Sequence, residues 1–448
     1  MKQNKDYLIT EKPSRALLIF SIPMIIGNLF QQAYTIVDSA IVGRYVGETA
    51  LAAVGASYAL TSIFICIAIG GGIGASVIIS HHFGAHNYGR MKTCIRTALL
   101  SFLFISLILG GIGLIFSQQI MEVLNTPADT IDIAVTYLNI YFLGLPFLFM
   151  YNILSSMFNA LGESRIPLYL LIFSSVLNIF LDLYMVAVLN LGVAGAAYAT
   201  FIAQGISAVL SLIIFVVTLQ QLQGKAEGWF SKTEFSDMSR IALPSILQQS
   251  TVSIGMMLVQ SVVNSFGTQI LAGFSAAMRI ESLCVVPMSA IGNAMSSYTA
   301  QNIGAEKEER ISQGYRAGNF MIIVIAAILC FFLEIAHKPL IALFLDNEPS
   351  AQTIVTGESY LKFIGFFFCM IGFKMAVDGI LRGAVKVFTI ANMVNLTLRV
   401  TIAKFGAPIW GVSMVWYAVP LGWLANFLIS YGYYRTEKWK EAASKTVD

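Results

Sequence analysis

The stretch ALLSFLFISLILGGIGLIF, from Ala98 to Phe116, holds no charged side chain and is long enough, as a helix, to cross the core of a bilayer. It is not alone. Similar apolar runs lie near 16–42, 51–79, 93–116, 131–159, 167–189, 193–219, 240–265, 270–299, 315–336, 357–381, 387–408 and 410–432. Each reads as a helix, because in lipid a segment must satisfy its own backbone polar groups. Composition agrees. Of 448 residues, 57% are hydrophobic and 11% charged, with a mean hydropathy of +0.76, whereas soluble domains average about 25% charged residues. Most of this surface therefore faces lipid. The predicted fold class is an all-α polytopic membrane protein with twelve transmembrane helices. Met1 to Lys12 is polar, and the run from Ala16 is too long for a signal sequence and lacks a small-residue cleavage site, so it is read as the first span. Pro23, Pro146, Pro244 and Pro287 lie inside runs, where each removes a backbone hydrogen bond.

Basic residues give the orientation. Alternate loops collect 20 Lys and Arg on one side, among them Lys2, Lys5, Arg90, Lys92, Arg96, Lys225, Lys232, Arg310, Arg316, Lys386, Arg435 and Lys445, against three on the other, Arg44, Lys338 and Lys404. By the positive-inside rule both termini are cytoplasmic and the number of spans is even. The basic residues sit singly in short loops and form no stripe for nucleic acid. The five cysteines are scattered in or beside apolar runs, with neither metal-ligand spacing nor a disulfide framework. His81, His82 and His86 have helical ligand spacing, but their basic loop offers no partnering acid, so metal binding is not expected.

The second half repeats the first at an offset near 220. Ile79-Ser-His-His-Phe-Gly-Ala-His-Asn-Tyr-Gly-Arg90 aligns with Thr299-Ala-Gln-Asn-Ile-Gly-Ala-Glu-Lys-Glu-Glu-Arg310, Gly47 to Ala52 with Gly267 to Ala272, and Pro23 with Pro244. Residues 1–220 and 239–448 are therefore expected to be two six-helix bundles, joined by a cytoplasmic linker at 221–238. Six spans per repeat give both halves the same orientation. Transporters built this way rock one bundle against the other around a central cavity.

Ionisable groups inside an apolar run are costly and mark function. Asp38 in span 1 and Asp182 in span 5 fall at similar depths below the outer face. Reflection about the turn at 190–192 pairs Asp182 with Thr200 and Asn178 with Gln204. Asn178 and Asp182, four apart, share a helix face, and Tyr137 in span 4 reaches the same level. Two carboxylates close together in low dielectric cannot both stay ionised cheaply; that is the chemistry of a site that binds and releases H⁺ or Na⁺. The second half holds weaker candidates, Glu281 with Arg279 in span 8 and Arg399 in span 11, while Lys374 and Asp378 read as a local i,i+4 pair. With an offset of 221, Asn178 and Asp182 map onto Arg399 and Ala403. There are no nucleophile-elbow, Walker or zinc-protease motifs, so the chain does not read as an enzyme or an ATP-driven pump.

Taken together, Ile22-Pro23, Gln31-Gln32, Val37-Asp38 and Val42-Gly43, the Gly84-Ala85 and Gly304-Ala305 loop pair, Asn159-Ala-Leu-Gly162, and Asn178 with Asp182 and Thr200 resemble the MATE (multidrug and toxic compound extrusion) family. The resemblance runs over essentially the whole chain. It implies a secondary antiporter in the cell membrane that exports amphiphilic, mostly cationic small molecules in exchange for H⁺ or Na⁺. It implies an ion site at Asp38, Asn178, Asp182 and Thr200, a bend of helix 1 at Pro23, and no cofactor beyond the coupling ion. Tyr137, Gln204, Glu281 and Arg399 would line the substrate cavity, and a monomer is expected. Span 7 carries Gln248 and Gln249 and no acid, which resembles the DinF/MepA-like branch more than the NorM-like one. A lipid-linked-sugar flippase of the same superfamily is the alternative reading.

Overall fold

The computed structural model describes residues 6–124, 126–127, 130–345, 350–385 and 389–440. Lys2, Lys5, Lys386 and Lys445, counted above for orientation, lie outside the described residues. Every regular element among the described residues is helical. In chain order the α-helices are α1 (Tyr7–Thr10), α2 (Pro13–Tyr45), α3 (Glu48–Gly84), α4 (Tyr88–Val123), α5 (Ile131–Ala160), α6 (Arg165–Asp182) and α7 (Gly192–Gln220). Then come α8 (Lys232–Asn264), α9 (Thr268–Gly304), α10 (Glu309–Ala342), α11 (Ala351–Gly365), α12 (Phe368–Gly383), α13 (Thr389–Thr401), α14 (Ala407–Trp410) and α15 (Ser413–Arg435). Two π turns, Leu183–Val188 after α6 and Ile402–Gly406 between α13 and α14, occupy matching places in the repeat.

Ten helices among the described residues are long and apolar enough to cross a membrane, and α11 with α12 makes one more span, bent by 52°. The twelfth is the composite of α13, its π turn and α14, helical throughout from Thr389 to Trp410. The repeat reaches the elements themselves: α2 and α8 have 33 residues each, α3 and α9 have 37 each. Each long second helix starts after a glycine in the left-handed half of φ space, Gly47 at 103° and Gly267 at 97°, where a Cβ would strain the turn. Large apolar side chains stand on the outside, Phe104 at 66% and Phe331 at 70% exposed, as helices solvated by lipid present them.

The chain folds into two compact units, one of residues 26–246 and one of residues 1–25 with 247–448. Their boundaries fall inside α2 and α8, just past Pro23 and Pro244, and not at the 220 and 239 limits of the sequence repeat. Hydrogen bonding explains why. In the first unit Lys92 Nζ donates to the carbonyls of Leu222 (2.7 Å) and Gly224 (2.8 Å), and the Thr93 and Thr97 hydroxyls accept from the backbone N–H of Glu227 (2.9 Å) and Ser231 (3.0 Å). Arg96 lies over the Trp229 ring at 4.7 Å. The linker is thus tied to the start of α4. His82, expected to lack an acidic neighbour, meets Glu234 at 3.0 Å, because the linker brings the start of α8 beside it. In the other unit the corresponding loop holds the N-terminal segment: Asn302 Nδ2 donates to the Leu8 carbonyl (3.1 Å), Lys307 to that of Ile9 (3.1 Å) and Arg310 to that of Glu11 (2.5 Å).

Each unit has its own core. In the first, Phe64 meets Phe142 edge-on at 5.6 Å, with Leu145 and Phe149 buried nearby. In the second, α9 and α12 cross at glycines: a Cβ on Gly379 would overlap the Gly292 carbonyl oxygen, and one on Gly292 would lie 2.7 Å from the Met375 carbonyl oxygen. The backbones approach too closely there for any side chain, the small-residue packing that membrane helices use in place of hydrophobic exclusion.

Candidate functional site

Among the described residues, each unit buries a cluster of polar side chains inside its spans. The cluster of the first unit is built on α2, α5, α6 and α7. The last turns of α6 bury Asn178 and Asp182, at 2% and 0% exposure. From α2 come Tyr34 and Asp38, also four apart and so on one face. The amide of Asn178 satisfies both its atoms when its NH₂ donates to Asp182 Oδ2 (2.9 Å) and Tyr34 Oη (2.8 Å) while its oxygen accepts from the Thr200 N–H (3.1 Å). Its side chain is also 3.3 Å from the Thr200 hydroxyl.

The carboxyls of Asp38 and Asp182 lie within hydrogen-bonding reach of each other. Two carboxylates can hold that position only with a proton shared between them or a cation on them. Asp182 Oδ1 has no hydrogen-bond partner among the described residues, so the pair has an oxygen to offer. Tyr137 is within electrostatic range of both acids and packs against the small core cluster of Val42, Val186, Val193 and Ala196. No group of three or more His, Cys, Asp and Glu side chains suited to a metal ion occurs among the described residues.

The structure thus brings together Asp38, Asn178, Asp182, Thr200 and Tyr137. It corrects the register expected between spans 5 and 6: Asn178 meets Thr200, and not Gln204. The π turn at Leu183–Val188 acts in this direction: its wider i→i+5 winding puts more residues into each length of helix and brings α6 residues opposite α7 positions nearer the turn. Gln204, half-buried, makes no hydrogen bond with the described residues. Tyr34 was missed by the sequence reading. Its one signal was its spacing from Asp38.

The cluster of the second unit has a different character. Glu281 is buried and accepts a hydrogen bond from Tyr360 Oη at 2.6 Å. Arg399 is near enough to interact electrostatically with both, yet among the described residues it forms no ion pair. Arg279 is exposed. The i,i+4 pair of Lys374 and Asp378 is present at 3.1 Å and buried. It is also the end of a longer network. Ser430 donates to Asp378 (2.8 Å), Asn426 donates to Asn392 (2.9 Å), and Gln248 approaches the same Asn392 oxygen at 3.5 Å. Pro23 lies inside α2 with the helix running on either side.

With this geometry in hand, comparison with known proteins gives a consistent result. The profile of the MatE family matches residues 23–184 and 244–403, once in each half. The "Probable multidrug resistance protein YpnP" of Bacillus subtilis (strain 168) is 31% identical over 430 residues, 95% of this chain and 96% of that protein. The "Multidrug export protein MepA" of Staphylococcus haemolyticus (strain JCSC1435) is 23% identical over 343 residues, 76% of this chain and 75% of its own length. Among solved structures, one described as the outward-facing conformation of a multidrug resistance MATE family transporter superposes with a TM-score of 0.89 at 24% identity, covering 99% of this chain and 100% of that one.

Proposed function

This chain belongs to the MatE family, and on that premise we propose that it is an ion-coupled exporter of amphiphilic, mostly cationic small molecules in the cell membrane. The observation that carries the reading is the Asp38–Asp182 pair, two facing carboxyls tied to Asn178, Tyr34 and Thr200. Such a pair changes its proton or cation content whenever its surroundings change, which is what an exchanger needs from its ion site. Loading the pair with H⁺ or Na⁺ neutralises it and removes its attraction for a cationic solute; unloading restores that attraction. Ion and solute then occupy the first unit alternately, which is antiport. The multidrug-resistance and multidrug-export names of the relatives support small-molecule drugs as the solutes. The excess of Lys and Arg in alternate loops supports cytoplasmic termini. The chain is taken to act as a monomer.

Purified protein in proteoliposomes tests this. An imposed pH gradient or an imposed Na⁺ gradient, each alone, should drive accumulation of ethidium against its own gradient, and only one of the two should suffice. If neither moves ethidium or any other amphiphilic cation tried beside it, the reading is wrong.

A further inference from the structure

The polar face of α13 goes beyond ion coupling. Asn392, Asn395 and Arg399 are spaced three and four apart, so one face of the helix carries them all. Together with Thr251 and Gly255 of α8 that face lines a cavity of about 20 Å³, room for the centre of one water-sized group. On the other side Gly422 of α15 lets α13 come close: a Cβ there would overlap Asn395 Oδ1 and sit 2.7 Å from Arg399 Cγ.

Two polar atoms at this place are unsatisfied. Arg399 is 9% exposed and its Nε has no hydrogen-bond partner among the described residues; the same holds for Asn395 Oδ1. A guanidinium stays charged at any working pH, and burying one of its N–H groups without an acceptor is costly. Glu281 does not supply that acceptor, since it lies outside ion-pair distance and is bonded to Tyr360. Asn392 is committed as well, its oxygen accepting from Gln248 and Asn426. Asn395 is different. Its Oδ1 is closed off against Gly422, which leaves the NH₂ as the amide group that can face the cavity, a second donor beside Arg399.

A fixed positive charge with an adjacent donor, on the wall of a small cavity, suits one negatively charged oxygen group. We propose that Arg399 and Asn395 form a receptor for a single carboxylate or phosphate, so that the compounds handled include amphiphiles carrying an acidic group. This rests on the transporter reading above and names a further class of solute for it. The site lies entirely in the second unit and would act beside, not within, the Asp38–Asp182 pair.

Rhodamine 110, which bears a free carboxylate, and its methyl ester rhodamine 123 differ at that group alone and serve as probes. Binding to the full-length protein in detergent is followed by fluorescence anisotropy. Arg399→Gln should weaken rhodamine 110 about ten- to hundred-fold and leave rhodamine 123 within about two-fold. Asn395→Asp, which sets a negative charge beside the site, should do the same. If Arg399 merely balances Glu281, the double variant Glu281→Gln with Arg399→Gln would restore binding of both probes to the wild-type level, and the proposal would be overturned. It is equally overturned if either single variant weakens both probes alike, or if wild type does not bind the acid. Titration in phosphatidylcholine nanodiscs with and without phosphatidylglycerol separates the two sources: displacement of rhodamine 110 by the anionic lipid assigns the receptor to a lipid phosphate, and no displacement assigns it to a soluble acid. Ethidium transport in proteoliposomes is read separately, so a failed receptor leaves the exporter standing and a failed exporter is seen as such.

Discussion

Asp182 has no exposed surface, and its side chain meets an amide on Oδ2 and lies beside a second acid, Asp38. Asp182→Asn keeps that shape and removes the charge that must be loaded and unloaded. The expected outcome is loss of gradient-driven ethidium transport with the unfolding temperature in detergent nearly unchanged; transport at the wild-type rate would make Asp182 a structural residue. Asn178→Ala should behave in the opposite way. It deprives Tyr34 Oη, Asp182 Oδ2 and the Thr200 N–H of a common partner, and a buried polar group left alone costs about 1–3 kcal/mol, so a clear fall in unfolding temperature is expected. The acids of this site were legible in the sequence because a charge in an apolar run is conspicuous. The tyrosines were not. Tyr34 and Tyr360 are two of 18 tyrosines, and a tyrosine in a span reads equally well as packing or as an interface anchor; only the fold shows which hydroxyl meets an acid. His82 was misjudged for a related reason, since Glu234 lies far along the chain and reaches it through the docked linker.

At the level of elements, the positions of the spans followed from hydropathy alone, while their internal irregularities did not. The prolines marked Pro23, Pro146, Pro244 and Pro287 as places of lost hydrogen bonds, yet the 52° break in span 10 falls between α11 and α12, at Phe366 and Phe367, without a proline. The π turns were equally invisible, and one of them lies in the hairpin whose pairing, Asn178 with Thr200, differs from simple reflection about the turn. Helix crossings can be tested directly. Gly379→Ala should lower the unfolding temperature, because its Cβ would meet the backbone oxygen of Gly292, which cannot turn aside as a side chain can; overpacking of this kind costs about 1–3 kcal/mol. Gly432→Ala, with nothing within 4 Å of its Cβ, is the control and should be neutral or slightly stabilising. Equal effects from the two would mean that the α9–α12 approach is looser than described.

For the whole molecule, the repeat was legible because its offset is nearly constant, and matched helix lengths and matched π turns bear it out. The compact units were not, since which unit holds the linker and the first 25 residues depends on hydrogen bonds between segments far apart in sequence. Orientation can be checked in a cysteine-free background. A cysteine placed at Asn190 should react with a membrane-impermeant maleimide applied to intact cells, and one at Lys232 only after permeabilisation; the reverse pattern would invert the topology. The central claim is that solute and ion exchange through the Asp38–Asp182 pair, and coupled flux measures it most directly. Proteoliposomes loaded with a pH indicator or a Na⁺ indicator receive an ethidium gradient and no ion gradient. Wild-type protein should move one of the two ions in the direction opposite to ethidium, and Asp38→Asn, folded and reconstituted at the same density, should move neither ion. Ethidium transport by wild type with no counterflow of either ion, or ion movement undiminished in Asp38→Asn, would contradict the account.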